Sequence, residues 1–91
     1  MVIIRADSSS TIGTGHIMSD LVLAKKFNQK VVFATRDLKG NISYKIKEAG
    51  YQIAILKDNS YEEFSKLIRK YNLFRNYQLL PFLDYIFLLL Y

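Results

Sequence analysis

The 91-residue sequence predicts an α/β fold in which helices flank a parallel sheet. Three observations carry that prediction. Short apolar runs at residues 2–4, 31–35 and 52–56 alternate with runs of helical periodicity. The connecting segments are a few residues long, as right-handed β-α-β crossovers require. The first run, Val2-Ile3-Ile4, is apolar without alternation, the pattern of a strand buried on both faces of a parallel sheet. Together they describe a Rossmann-like sheet with flanking helices and no internal repeat.

The first strand leads into Arg5-Ala6-Asp7-Ser8-Ser9-Ser10-Thr11-Ile12-Gly13-Thr14-Gly15-His16, a loop rich in Ser and Gly that ends where a helix begins. Such a loop can gather backbone N–H groups and a helix N-terminus around one point, an arrangement that binds anions. His16 is the single histidine of the chain and falls at that point. In the helix that follows, Ile17, Leu21 and Ala24 recur at helical spacing, with Met18, Val22 and Leu23 broadening the apolar face. Lys25, Lys26 and Lys30 lie near its C-terminal end, where cations meet the helix dipole favourably.

Val31-Val32-Phe33-Ala34-Thr35 is the second strand and a polar loop follows it. Asn41 or Ser43 caps a helix running through Ala49, with Ile42 and Ile46 on one face and Gly50 as the C′ stop. Gln52-Ile53-Ala54-Ile55-Leu56 is the third strand. Ser60 with Glu63 forms a capping box and opens a helix carrying Phe64, Leu67, Ile68 and Tyr71. From there the character changes. Seven of the thirteen aromatic residues fall between Tyr71 and Tyr91, a stretch with one Arg and one acid. The run from Leu79 is interrupted by Pro81 and Asp84 and is too short for a bilayer span, which takes roughly 20 apolar residues. It reads either as a buried strand over 85–90 or as a helix with Pro81 at its first position. In both cases the apolar segment must be covered, or the chain self-associates through residues 73–91.

Composition narrows the function. There is no cysteine, which excludes disulfides, thiolate metal sites and thiol nucleophiles. One histidine and scattered carboxylates argue against a metal site, and no cofactor is expected. The net charge of +5 suits an anionic ligand, but the Lys and Arg are dispersed, so nucleic acid is not indicated. The N-terminus has no signal-peptide pattern, and a cytoplasmic location is expected.

The residues 5–10, 12–17 and 20–25 together resemble the N-terminus of the UDP-linked diacetamido-trideoxyhexose hydrolases of pseudaminic acid biosynthesis, which are themselves similar to the MurG-type, two-domain GT-B glycosyltransferases. The resemblance is strong over residues 2–27, extends by element order to residue 72 and fails beyond it. It implies an incomplete N-terminal GT-B-type domain over 1–72, a divergent apolar segment over 73–91, and a truncated member of a longer family whose second domain binds the uridine nucleotide. It implies a UDP-linked amino sugar as substrate, and water attack at the anomeric carbon with inversion, loss of UDP and no metal.

The family's essential histidine falls on His16, and the implied role is general base. A helix N-terminus disfavours an imidazolium and so favours the neutral ring a base requires. Gly13 and Gly15 let the backbone approach the diphosphate or sugar without a Cβ in the way. Asp7, Ser8, Ser9 and Ser10 are candidates for hydrogen bonds to substrate, or in the case of Asp7 to the imidazole. The family's fourth strand is missing, which leaves the first strand an open edge, and residues 83–90 are expected to cover it, in cis or from a second copy.

Plainer readings stand beside these. A lone histidine at a helix start can be a solvated or capping residue, a G-x-G a tight turn, and Asp7 with the serines ordinary turn and cap residues. At the level of function the alternatives are a non-catalytic α/β fragment that self-associates or binds a partner, and the acceptor domain of a MurG-like glycosyltransferase.

Overall fold

In a computed structural model, β1 (Val2–Arg5), β2 (Val31–Arg36) and β3 (Gln52–Leu56) form a parallel sheet. They alternate with α1 (Gly15–Ala24), α2 (Ser43–Glu48) and α3 (Tyr61–Tyr71). Two further strands, β4 (Tyr77–Phe82) and β5 (Tyr85–Leu90), complete a five-stranded sheet of order β3-β2-β1-β5-β4. The structure describes residues 1–71, 77–82 and 85–90; Phe74, Asp84 and Tyr91 of the aromatic-rich segment, and its expected start at 73, lie outside the described residues.

Period-two alternation divides the core between the two sheet faces. Val2 and Ile4 of β1, with Val31 and Phe33 of β2, pack under Ile17 and Ala24 of α1 and Ile46 of α2. Ile3, Val32 and Ala34 face the other way, onto Leu67 of α3. All of β1 from Val2 to Ile4 is buried, as its unbroken apolar run predicts. No helix of the described residues is long and apolar enough to cross a membrane.

The covering of β1 follows the expectation from its open edge. β5 pairs with it antiparallel, Val2 opposite Leu89 and Arg5 opposite Ile86. The strand reading of 85–90 therefore holds and the helix beginning at Pro81 does not. Pro81 lies in β4, at the margin of the sheet, where a residue without an N–H is tolerated.

Local signals map onto the helix ends with some corrections. The N-cap of α2 is Ile42, which brings no side-chain bond, rather than Asn41 or Ser43; Asn41, one residue earlier, accepts the Ser43 N–H at 3.0 Å, and Ser43 is the first helical residue. At the other end of α2 the Gly50 N–H reaches the Lys47 carbonyl and the Tyr51 N–H reaches the Ile46 carbonyl, a Schellman motif with Gly50 at C′. Half of the capping box of α3 forms. Ser60 Oγ accepts the Glu63 N–H at 3.2 Å, while the Ser60 N–H donates to Asp58, leaving the Glu63 carboxylate facing the Lys57 N–H.

The apolar face of α1 is narrower than its composition suggests. Met18 and Val22 are exposed, while Ile17, Leu21 and Ala24 pack into the core formed with the sheet and α2. Helix α1 also stops at Ala24, so Lys25 is its C-cap and Lys26 and Lys30 lie beyond the last turn.

Candidate functional site

The loop between β1 and α1 sits at the C-terminal ends of the parallel strands, the side on which open α/β sheets bind ligands. Its shape is set by side chains that turn inward. The Asp7 carboxylate joins β1 to β2. Arg5 donates to it twice, at 2.6 and 3.0 Å, and Arg36 donates its backbone N–H at 2.9 Å and its Nε at 2.8 Å. Burial opposes the Asp7 charge, but the hydrogen bonds from Arg5 and Arg36 outweigh it and lower the carboxyl from 3.8 to about 2. Asp7 is thus an ionised anchor for two guanidinium groups.

Ser8 is fully buried, and its Oγ accepts the Ile42 N–H at 2.9 Å, tying the loop to the start of α2. Ser9 Oγ accepts the N–H groups of Thr11 and Ile12, at 3.2 and 2.8 Å, while its backbone pairs with Gly13 in both directions. Ser10 is exposed, and its N–H donates to the Lys39 carbonyl at 3.0 Å. That approach depends on Gly40. A Cβ there would lie 2.7 Å from the Ser10 nitrogen, and the φ of +80° is itself costly for any side chain.

These bonds revise the expectation that the loop aims its backbone donors at a ligand. The N–H groups from Ser9 to Gly13 all have acceptors inside the protein. Beyond this loop lies the first turn of α1, where helix geometry supplies no intrahelical acceptor for the N–H groups. Thr14, the N-cap residue, supplies no side-chain bond to them, and no acidic residue occupies that turn. Gly13, with φ +92°, turns the chain into this helix end. At Gly15 an added Cβ would meet nothing within 4 Å, so the approach to the helix is open. His16 is the second residue of α1 and is half-buried there.

The seven candidate residues therefore divide. Gly13, Gly15 and His16 come together at the open end of α1, with exposed Ser10 in the same loop. Asp7, Ser8 and Ser9 have their polar groups engaged within the protein. A groove of about 380 Å³ runs between residues Ser9–Ile12 and the side chains of Arg36, Leu38 and Lys39, and His16 does not line it. Among the described residues no cluster of three or more His, Asp or Glu side chains is placed to hold a metal.

Sequence reading missed Arg36 and Gly40, whose partners lie about thirty residues away along the chain. It also missed Asp20. This carboxyl is 2% exposed, on the buried side of α1, and its Oδ2 has no hydrogen-bond partner among the described residues. Burial pushes it up from 3.8 to about 6. The signal was present in the spacing, since Asp20 falls between Ile17 and Leu21 on the core side.

Comparison with known proteins agrees with the resemblance carried by this loop. No family model matches the chain, and no solved structure matches it. The UDP-2,4-diacetamido-2,4,6-trideoxy-beta-L-altropyranose hydrolase of Campylobacter jejuni is 44% identical over 69 residues. Those residues are 76% of this chain but 24% of the relative, so the chain spans about a quarter of that protein's length. Over three quarters of its own length, then, this chain is similar to a segment of a UDP-sugar hydrolase.

Proposed function

We propose that this chain is the sugar-facing segment of a hydrolase that releases UDP from a UDP-linked diacetamido-trideoxy sugar, with His16 as the general base. The observation that carries the reading is the position of His16. It is the only imidazole of the chain and stands in the uncapped first turn of α1, beside two glycines that leave the approach clear. The 44% identity to a hydrolase of that substrate class supports it.

In this reading the His16 imidazole takes a proton from water as the water oxygen bonds to the anomeric carbon. The bond from that carbon to the UDP oxygen breaks on the opposite face, and UDP leaves with the bonding electrons. The configuration inverts and no covalent intermediate forms. The first-turn N–H groups of α1 and the helix dipole face the polar groups of the substrate, and Gly13 and Gly15 admit its approach. Ser10 flanks it. Asp7, Ser8 and Ser9 contribute by fixing the loop. In this reading residues 1–72 are the incomplete N-terminal GT-B-type domain and 73–91 the divergent segment, of which β5 pairs with β1. Binding energy from the nucleotide positions the reacting carbon, so the chain alone turns over little.

The test is an exchange. The matched residues of the Campylobacter hydrolase are replaced by those of this chain, and UDP release is measured. Retained release that disappears in His16→Ala supports the proposal. A folded chimera that is inactive, or one in which His16→Ala remains active, refutes it.

The second reading, a fragment that self-associates, is favoured by β4, a strand at the margin of the sheet. Size-exclusion chromatography decides it: a concentration-dependent dimer supports it and a monomer throughout rejects it.

A further inference from the structure

Among the described residues, Asp20 is a buried charged side chain near the candidate site whose task is unaccounted for. It is 2% exposed, and its Oδ2 meets no donor among the described residues. A buried carboxyl in that condition is costly unless a donor reaches it. It lies four residues after His16 on α1, and positions i and i+4 of a helix are neighbours, about 5–6 Å apart at Cβ. Helical side chains lean toward the N-terminus, so the Asp20 side chain is directed over the turn that carries His16.

Among the described residues, the charged groups of α2, β1 and β2 nearest α1 are placed elsewhere. Lys45 and Glu48 of α2 share a groove with Met18, Val22 and Lys25. Positions 18 and 22 are about 160° around the helix from 16 and 20 respectively. Arg5 of β1 and Arg36 of β2 are held by Asp7 at the strand ends.

We propose that Asp20 is a positioning residue for His16: its carboxylate receives an imidazole N–H, fixing the ring's tautomer and leaving the other nitrogen to face the site. The bond is reached by side-chain rotation across one helical turn. It gives the buried carboxylate the donor it lacks, and it holds a positive imidazolium once the ring has taken a proton. This rests on the reading of His16 as the base, but the pairing itself can be tested without turnover.

The experiment is an NMR pH titration of the chain. His16 is the only histidine, so its ring Cε1–H resonance is assigned without ambiguity. In the wild-type chain the His16 curve is expected to carry a second inflection that coincides with the titration of the Asp20 carboxyl carbon. In Asp20→Asn that inflection disappears and the main midpoint moves to lower pH, by a roughly tenfold fall in proton affinity, the low end for an opposite charge at this range. Amide dispersion establishes that the variant is folded; if it is not, the wild-type curves decide alone. A wild-type His16 curve with a single inflection, or a folded Asp20→Asn curve that matches wild type, overturns the proposal. Loss of UDP release in the His16 chimera is a separate result. A coupled pair in an inactive chimera rejects the hydrolase reading and leaves the pairing, whereas an active chimera with an uncoupled pair does the reverse.

Discussion

Replacing Asp7 by Asn isolates the charge that holds the site loop to the sheet. Asp7 joins Arg5, two residues away, to Arg36 across the β1–β2 pair, and both partner carboxylate and Arg5 side chain are about one-tenth exposed. Screening by solvent is correspondingly weak. The carboxyl is lowered from 3.8 to about 2 in the folded chain. Each pKa unit between folded and unfolded states is 1.36 kcal/mol, so ionised Asp7 stabilises the fold by about 2 kcal/mol. Because the folded value is depressed, that contribution is complete above pH 4 and is lost as pH falls through the folded value near 2. The assay is urea denaturation of wild type and Asp7→Asn at closely spaced pH values from 2 to 6. At pH 6 the variant is expected to be less stable by about 2 kcal/mol or more, since the amide also leaves arginine donors without a carboxylate. The gap closes toward pH 2, where wild type loses its own charge. A gap that is absent at pH 6, or constant from pH 2 to 6, refutes the linkage.

Asp20→Asn carries the opposite sign. Burial raises the folded value from 3.8 to about 6, so the wild-type chain bears no penalty below pH 3.8 and up to about 3 kcal/mol above pH 6, less what a His16 N–H returns when the pair is made. The stability of the variant relative to wild type is therefore expected to rise from pH 4 to pH 7 in the same assay, and a flat difference contradicts the burial of the charge. Gly40→Ala forces a Cβ to within 2.7 Å of the Ser10 nitrogen at φ +80°. It is expected to cost at least about 1 kcal/mol in thermal or chemical melts and to shift the amide resonances of Ser9 to Ile12; unchanged resonances would show that the two loops do not touch.

Much of the fold was legible because its signals are local. The unbroken apolar run of β1, the Gly50 stop and the Ser60 cap each depend on residues within one turn or one strand, and each is where its sequence places it. The segment 85–90 was ambiguous for a physical reason. Six apolar residues satisfy both helical and strand burial, and what decides between them is the open edge of β1, a tertiary feature. The site was legible in outline only. The glycines and the histidine mark the helix entry, but the roles of Asp7, Ser8 and Ser9 depend on Arg36, Ile42 and the loop's own N–H groups. Two of those partners come from segments some thirty residues away, and no local pattern announces them. Asp20 is a different case. Its periodicity put it on the buried side, and its polarity there was the clue to a task beyond packing.

The most direct test of the account is to titrate the 15N-labelled chain with the UDP-linked diacetamido-trideoxy sugar and follow its amide and imidazole resonances. The perturbed signals are expected to cluster at Gly13, Thr14, Gly15, His16 and Ile17, and His16→Ala is expected to leave the fold intact while altering that pattern. Perturbations confined to α2 and β3, or none at saturating sugar nucleotide, would contradict it.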